Sequence, residues 1–354
     1  MESAELADAL RTSIARHAFS GVVSIRRGGR VLYEAAAGYA DRSNKIENTV
    51  ETRFGVASGT KFLTALAVGR LIAGGNLSFD TKLKDCLSVR FPRYSPDITI
   101  RHLLTHTSGI PDYYDEEKVT DFDNFALAVP SCELRGPRDY LVLFPDEPMK
   151  FQPGQRFSYS NSGYILLGVL IEELTGLKYQ EFVEQAIFKP NGMDRSGFFS
   201  FDRLPEGTAL GYIEEPGGWR SNIYTLPMIG ASDGGAYTTA QDLATLWRAF
   251  WGCKILPGEL VEAYAAPFAR AETEGEHTYV GHGLWSSEAP GRRREVYITG
   301  CDAGVSFRSS SSRVDDLLVT VLANTTHGAW PVLKDIGAAL TEQDPRDSSR
   351  PGDN

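Results

Sequence analysis

Residues 54–61 read Phe-Gly-Val-Ala-Ser-Gly-Thr-Lys and place Ser58 three positions before Lys61. From Lys61 to Ile72 apolar residues recur at helical spacing, and Gly74-Gly75 ends the run. The pattern predicts a helix that begins near the serine, and residues three apart share one face of a helix. Lys61 can therefore reach the Ser58 hydroxyl and take its proton, provided that burial or a nearby positive charge lowers the lysine pKa.

Ser58 is the only serine in the chain with a lysine three residues later. Such a pair arises by chance about once in a chain of this length, so a capping serine with a solvated lysine would explain it alone. The segment Tyr159-Ser160-Asn161 adds a tyrosine and an asparagine that could act together with the serine and the lysine. Tyrosine beside a lysine can act as general acid or base, and asparagine can hydrogen-bond both the lysine and a substrate carbonyl.

Strand patterns lie at both ends of the chain and helical patterns lie between them. Gly28-Gly29 predicts a hairpin turn between two of the strands. The predicted strands are 21–25, 31–35, 279–286, 295–299, 304–308 and 316–323, and the main predicted helices are 3–17, 61–72, 163–174 and 330–341. This order predicts an α/β domain formed by residues 1–79 and 230–343, a helical domain over 80–229 and a disordered tail over 344–354.

The composition is that of a globular protein, with 42% hydrophobic and 23% charged residues. The formal net charge of −10 argues against nucleic acids and anionic membranes as partners. The N-terminal residues show no secretory signal, so we expect a cytoplasmic protein. The four cysteines make no zinc-binding spacing and are predicted to be free thiols; they are Cys86, Cys132, Cys253 and Cys301.

A second candidate nucleophile is Ser232, within the Gly-x-Ser-x-Gly pattern of residues 230–234. Asp302 and His327 follow it in the order of an α/β-hydrolase triad. That motif requires a helix directly after the serine, whereas Gly234-Gly235 follow here and the next helix is predicted to start near Thr239, capped together with Asp242. Ser58 is therefore the preferred nucleophile.

His102 and His106 are four residues apart and could share one face of a helix, as zinc ligands do. The glutamate of the zinc motif is missing, because Leu103 occupies its place. We predict no metal and no cofactor.

Three longer stretches occur in order along the chain. They are residues 54–61, residues 100–110 (Ile-Arg-His-Leu-Leu-Thr-His-Thr-Ser-Gly-Ile) and residues 151–164 (Phe-Gln-Pro-Gly-Gln-Arg-Phe-Ser-Tyr-Ser-Asn-Ser-Gly-Tyr), the last continued by Leu166-Leu167-Gly168. They resemble the serine β-lactamase and penicillin-binding-protein superfamily, in particular the class C β-lactamase-like branch with its esterases, D-aminopeptidases and transacylases. The resemblance implies an antiparallel sheet flanked by helices, with a helical domain.

By this resemblance Ser58 forms an acyl-enzyme, Tyr159 and Lys61 share the proton transfers, and Asn161 orients the acyl side of the substrate. A third motif of the family, Lys-Thr-Gly or His-x-Gly on an edge strand, corresponds to Ile298-Thr299-Gly300. Thr299 and Gly300 would then border the substrate. The backbone N–H groups of Cys301 and Ser58 would form the oxyanion hole.

Ile298 departs from that motif, because isoleucine cannot bind a substrate carboxylate as the family's cationic residue does. We therefore expect a serine hydrolase that acts on a neutral, apolar ester, or an amide, through Ser58, as carboxylesterases do. The alternative is a transacylase of natural-product synthesis that passes the acyl group to an amine or alcohol. D-aminopeptidase or β-lactamase activity and a non-catalytic binding role are less favoured. Tyr113-Tyr114 and Phe198-Phe199 would line the cleft or pack in the core.

Overall fold

The computed structural model describes residues 2–119, 121–271, 277–288 and 294–342. The predicted disordered tail lies outside these ranges. The described strands are β1 (Gly21–Arg27), β2 (Arg30–Ala37), β3 (Tyr39–Asp41), β4 (Ile46–Glu47), β5 (Phe54–Gly55), β6 (Tyr212–Glu215), β7 (Gly218–Ser221), β8 (Tyr237–Thr238), β9 (Ala269–Ala271), β10 (His277–Val280), β11 (Trp285–Glu288), β12 (Glu295–Asp302), β13 (Val305–Ser312) and β14 (Leu317–Ala323). The described helices are α1 (Glu2–Arg16), α2 (Thr60–Ala73), α3 (Leu83–Cys86), α4 (Ile100–Leu104), α5 (Asn161–Thr175), α6 (Tyr179–Val183), α7 (Ala240–Trp251), α8 (Gly258–Ala265) and α9 (Ala329–Glu342).

Eight of these strands form one sheet in the order β2-β1-β14-β13-β12-β11-β10-β9, and every pairing in it is antiparallel. The first strand of the chain therefore lies beside the last. The turn between β1 and β2 holds Gly28 and Gly29, with φ of 56° and 75°. Positive φ at both central residues is what a tight hairpin turn requires, so the predicted hairpin and antiparallel sheet are confirmed.

Both faces of the sheet are buried. Successive side chains of a strand point to opposite faces, and Val23 and Val321 join the hydrophobic cluster that α1 and α9 cover. Val22 and Leu322 join the larger cluster on the other face, which contains α2, α5 and α7. The result is a sheet flanked by helices.

The helix α2 is mostly apolar, is buried on all sides and lies in the centre of that larger cluster. Phe62 stacks on Trp247 of α7 with 5.7 Å between ring centroids. A Cβ added to Gly69 would lie 2.8 Å from the Tyr264 hydroxyl, so glycine allows this close contact. Packing on all sides fixes the direction of α2 and of the residues at its first turn.

The ends of the four predicted helices agree with α1, α2, α5 and α9 within two residues. The predicted strand over 279–286 is wrong, because β10 and β11 are separate strands joined at Gly281–Leu284, where Gly283 has φ of 81°. The four cysteines are free. Residues 80–229 hold α3–α6 and the β6–β7 hairpin. The division into domains stays a prediction. Among the described helices, none is long and apolar enough to cross a bilayer.

We expect Leu322→Ala to lower the free energy of unfolding by about 2–5 kcal/mol, because it empties space in a fully buried part of β14. Val314→Ala, in the turn before β14 at a side chain 74% exposed, should change stability by less than about 0.5 kcal/mol. Urea unfolding followed by tryptophan fluorescence measures both. Equal effects of the two substitutions would contradict the burial described for β14.

Candidate active site

Ser58 lies in a single 3₁₀ turn, Ala57–Gly59, that leads directly into α2. Ala57 has φ of 43°, a conformation that is costly for a residue with a Cβ. The Thr60 hydroxyl holds the turn, because it donates to the Ala57 carbonyl at 2.7 Å and accepts from the Ala236 N–H at 2.9 Å. This strained turn places the half-buried Ser58 hydroxyl at the start of α2.

Lys61 is 4% exposed, and its ammonium makes three hydrogen bonds. It donates to Ser58 Oγ at 3.0 Å, to Asn161 Oδ1 at 2.7 Å and to the Asp233 carbonyl at 2.7 Å. Burial lowers the pKa of Lys61, although neighbouring carboxylates, Asp233 first, oppose the shift. Asn161 Oδ1 and the Asp233 carbonyl oxygen can only accept hydrogen bonds. A neutral Lys61 therefore donates its two protons to these oxygens and directs its lone pair at Ser58 Oγ.

Asn161 is the first residue of α5, and both protons of its side-chain amide are used within the protein. Nδ2 donates to the Tyr114 carbonyl at 2.9 Å and to Glu116 Oε1 at 3.2 Å, which directs Oδ1 at Lys61. Asp112 accepts the Asn161 N–H at 2.6 Å and the Ser162 N–H at 2.9 Å and so anchors the start of the helix. In this arrangement Asn161 positions Lys61. Its expected contact with substrate stays a prediction.

The Tyr159 ring stacks on His106 at 4.4 Å and on Trp285 at 6.2 Å, measured between ring centroids. Lys61 Nζ lies 4.8 Å from the centre of the Tyr159 ring. Burial, with Glu116 nearby, raises the pKa of Tyr159 well above its usual value, although the Ser58 side chain is near enough to lower the tyrosine pKa slightly. Tyrosine is therefore held in its protonated form, while the pKa of Lys61 moves towards that of a base.

The two histidines of residues 100–110 each accept a hydrogen bond from a backbone N–H group. His106 Nδ1 accepts the Ser160 N–H at 3.0 Å, and burial with the nearby Lys61 holds the His106 pKa well below its usual value. Its neutral ring supports Tyr159. His102 Nδ1 accepts the Thr99 N–H at 3.2 Å as part of the cap of α4.

The strand β12 passes close to the nucleophile turn. A Cβ added to Gly300 would lie 2.2 Å from the Val56 carbonyl oxygen and 2.8 Å from the Ser58 nitrogen. Only glycine allows this approach. The Thr299 hydroxyl donates to the Phe307 carbonyl at 2.9 Å, and burial raises the pKa of the Cys301 thiol to about 12.

Two adjoining compartments of a cleft share Ser58. The smaller encloses about 280 Å³, part of it open to solvent, and is bordered by Lys61, Tyr159, Ile298 and Thr299. The larger has a volume of about 890 Å³, part of it open to solvent. Its wall is mainly apolar and aromatic, with two carboxyls, and includes Tyr113, Tyr114, Phe122, Phe125, Phe199, Asp233 and Asp302. Phe198 instead packs in the core against Tyr179 and Phe188.

Ser232 is not arranged as a nucleophile. Its Oγ is fully buried and has no hydrogen-bond partner in the described part of the chain. It faces α5, where a Cβ added to Gly168 would lie 2.2 Å from it. His327 is exposed, and the next helix begins at Ala240, capped by Thr239 as predicted. The alternative hypothesis, in which Ser232 is the nucleophile of an α/β-hydrolase triad, is therefore wrong.

Four carboxyls surround Lys61, and the sequence patterns assigned none of them to it. Burial raises the pKa of each, to about 6 for Asp112 and about 7 for Asp302, and also for Glu116 and Asp233. The Tyr113 hydroxyl donates to the Asp233 carboxylate. Asp112 and Glu116 are neighbours in sequence, but Asp233 and Asp302 follow more than a hundred residues later, so only the fold identifies the four as a group.

A model of the family described as Beta-lactamase matches residues 6–342. The chain belongs to the β-lactamase family. Its fold and ordered motifs confirm membership of the serine β-lactamase and penicillin-binding-protein superfamily.

Curated relatives carry several names. A penicillin-binding protein of Bacillus subtilis is 34% identical over 217 residues, 60% of this chain and 45% of that protein. Putative penicillin-binding protein PbpX of Bacillus subtilis is 28% identical over 88% of this chain and 72% of that protein. Esterase EstB of Burkholderia gladioli is 34% identical over 56% of this chain and 51% of the esterase. The chain spans about half the length of the first and third of these β-lactamase-family relatives.

Solved structures of the β-lactamase family share the fold. A penicillin-binding protein from Bacillus halodurans has a TM-score of 0.87 at 42% identity, covering 93% of this chain and 99% of that one. A D-amino acid amidase from Ochrobactrum anthropi has a TM-score of 0.80 at 20% identity, covering 97% of this chain and 99% of that one. That likeness concerns the fold alone.

We expect Gly300→Ala to slow labelling of the active site by a fluorophosphonate by about a hundredfold, because the added methyl pushes β12 away from the Ser58 turn. Gly218→Ala is the matched control, since its Cβ would meet nothing within 4 Å. Time-resolved mass spectrometry of the adduct measures both rates. Unchanged labelling of the Gly300 variant would contradict the close approach.

Proposed function

We propose that the protein is a carboxylesterase-like serine hydrolase that forms an acyl-enzyme on Ser58 with a small ester, or with an amide. The observation that carries this proposal is the Lys61 environment. Its Nζ lies 3.0 Å from Ser58 Oγ, and its other two partners cannot donate a proton. A neutral amine held in this way presents its lone pair to the serine.

In the proposed acylation, Ser58 Oγ bonds to the substrate carbonyl carbon and its proton passes to Lys61. The bond from that carbon to the leaving oxygen then breaks, and Tyr159 donates the proton that the leaving group needs. The proton on Lys61 restores the tyrosine. The raised pKa of Tyr159 and the lowered pKa of Lys61 support this division of roles.

In the proposed deacylation, water bonds to the acyl carbon and gives a proton to Lys61. The bond between that carbon and Ser58 Oγ breaks, the serine regains the proton, and the acid leaves. The backbone N–H groups of Ser58 and Cys301 would stabilise the carbonyl oxygen as it gains charge in both steps. The close contact of Gly300 with the Ser58 turn supports that assignment.

Ser58→Ala should abolish turnover of p-nitrophenyl esters and of ethyl esters. Tyr159→Phe should lower kcat for the ethyl esters by about 10²–10⁴, because their alkoxide leaving group needs the proton that Tyr159 donates. Ser232→Ala is the matched control and should keep full activity, because its hydroxyl contacts no polar partner. Steady-state absorbance assays, with mapping of a fluorophosphonate adduct, measure these effects. Activity that survives Ser58→Ala, or an adduct on Ser232, would overturn the mechanism.

Transfer of the acyl group to an amine or alcohol is the second candidate. The larger compartment favours it, because it borders Ser58 and is partly open to solvent, which leaves a path for an acceptor to the acyl group. Adding benzylamine or hexanol to the ester assay should then divert product from the free acid to the amide or ester, measured by chromatography. Product that remains entirely acid at saturating acceptor would leave hydrolysis as the activity.

A further inference from the structure

Asp302 ends β12 and borders the larger compartment, the one with a volume of about 890 Å³. Its half-buried carboxylate makes no hydrogen bond or ion pair with any residue in the described ranges. The other carboxyls near Lys61 differ in this respect. Asp233 accepts from Tyr113, and Glu116 accepts from Asn161. Asp302 is thus the carboxyl of this group whose partner the described protein does not supply.

The carboxylate lies near the nucleophile turn. A Cβ added to Gly234 would be 3.7 Å from the Ala57 backbone and 3.9 Å from Asp302 Oδ2. Because residue 234 is glycine, it places no side chain between the Ala57 backbone and the Asp302 carboxylate. A group bound against Asp302 would belong to the same molecule that reaches Ser58.

The wall of the larger compartment contains no lysine or arginine among the described residues. Lys61, the nearby cation, is committed to three protein acceptors. Aromatic rings also face the compartment: Tyr114 lies 4.4 Å from Phe125 and 6.2 Å from Phe122, between centroids. Aromatic faces attract cations. Carboxylate and rings together complement a positively charged group with an apolar surface.

We propose that Asp302 selects substrates whose acyl group carries an ammonium ion, bound between its carboxylate and the aromatic wall of the larger compartment. This inference rests on the proposed Ser58 acyl-enzyme and narrows its substrate class. It also replaces the neutral substrate expected from Ile298. The smaller compartment has Ile298 where the family motif has a cationic residue, and the larger one has an acid that would bind a cationic substrate.

The test compares p-nitrophenyl γ-(trimethylammonio)butyrate with its isostere in which carbon replaces the nitrogen. The two esters differ only in a permanent charge. We expect kcat/KM to favour the charged ester by about tenfold to a hundredfold, the range for one opposite charge in a partly buried site. Asp302→Asn should remove the preference. Asp8→Asn, the same change at an exposed position on α1, should leave it intact.

Equal kcat/KM for the two esters in the wild type, or an undiminished preference in Asp302→Asn, overturns the inference while Ser58 hydrolysis stands. If the wild type cleaves neither ester and Ser58 takes no fluorophosphonate, the proposed function fails instead. Calorimetric titration with phenyltrimethylammonium then still tests the cleft. Binding by the wild type that weakens about tenfold in Asp302→Asn supports the inference, and binding that is absent or equal in both rejects it.

The charge preference should also depend on pH. Burial and the nearby acids raise the pKa of Asp302 to about 7, so its carboxylate charge is present above that pH and lost below it. The groups that face it are Glu116, Asp233, Lys61, Tyr114 and Cys301. Because the trimethylammonium group does not titrate, the ratio of kcat/KM for the two esters should rise from pH 6 to pH 8. A flat ratio in the wild type would contradict the role of Asp302.

Discussion

A buried ammonium ion is costly unless each of its protons meets an acceptor. Lys61 satisfies this requirement with one neighbouring group and two groups from distant parts of the chain. Ser58 belongs to the turn before its own helix, whereas Asn161 and Asp233 are 100 and 172 residues away. The need to solvate one charge therefore ties α2, the start of α5 and the loop over 230–235 together. The same burial lowers the lysine pKa, so the interaction that assembles the site also prepares its base.

The sheet determines what the site can accept. β12 brings Gly300 against the Ser58 turn, and the alternation along the strand carries buried Ile298 into the smaller compartment. Asp302, at the end of the same strand, borders the larger one. One strand thus gives the two sides of the cleft different polarities. In the proposed function, these two polarities select the substrate on either side of Ser58, which accepts a hydrogen bond from Lys61.

Several features followed from local patterns. The helical spacing of α2, the double glycine between β1 and β2 and the Thr239 cap are short-range signals, and the structure contains all three. The prediction of a single strand over 279–286 is wrong, and the reason is a local backbone conformation. Gly283 adopts a left-handed conformation and reverses the chain, which alternation of residue types does not reveal.

By itself the sequence determined that Ser58 and Lys61 meet, because they are three residues apart at the start of a helix and helical geometry alone brings them together. It also determined the strands at both ends and the family. Only the tertiary structure decided that both protons of the Asn161 amide are engaged by the protein. It also decided that, among the described residues, the buried Ser232 hydroxyl and the Asp302 carboxylate beside the cleft have no hydrogen-bond partner. Those facts depend on burial and on contacts between residues 45 or more positions apart, and local spacing encodes neither.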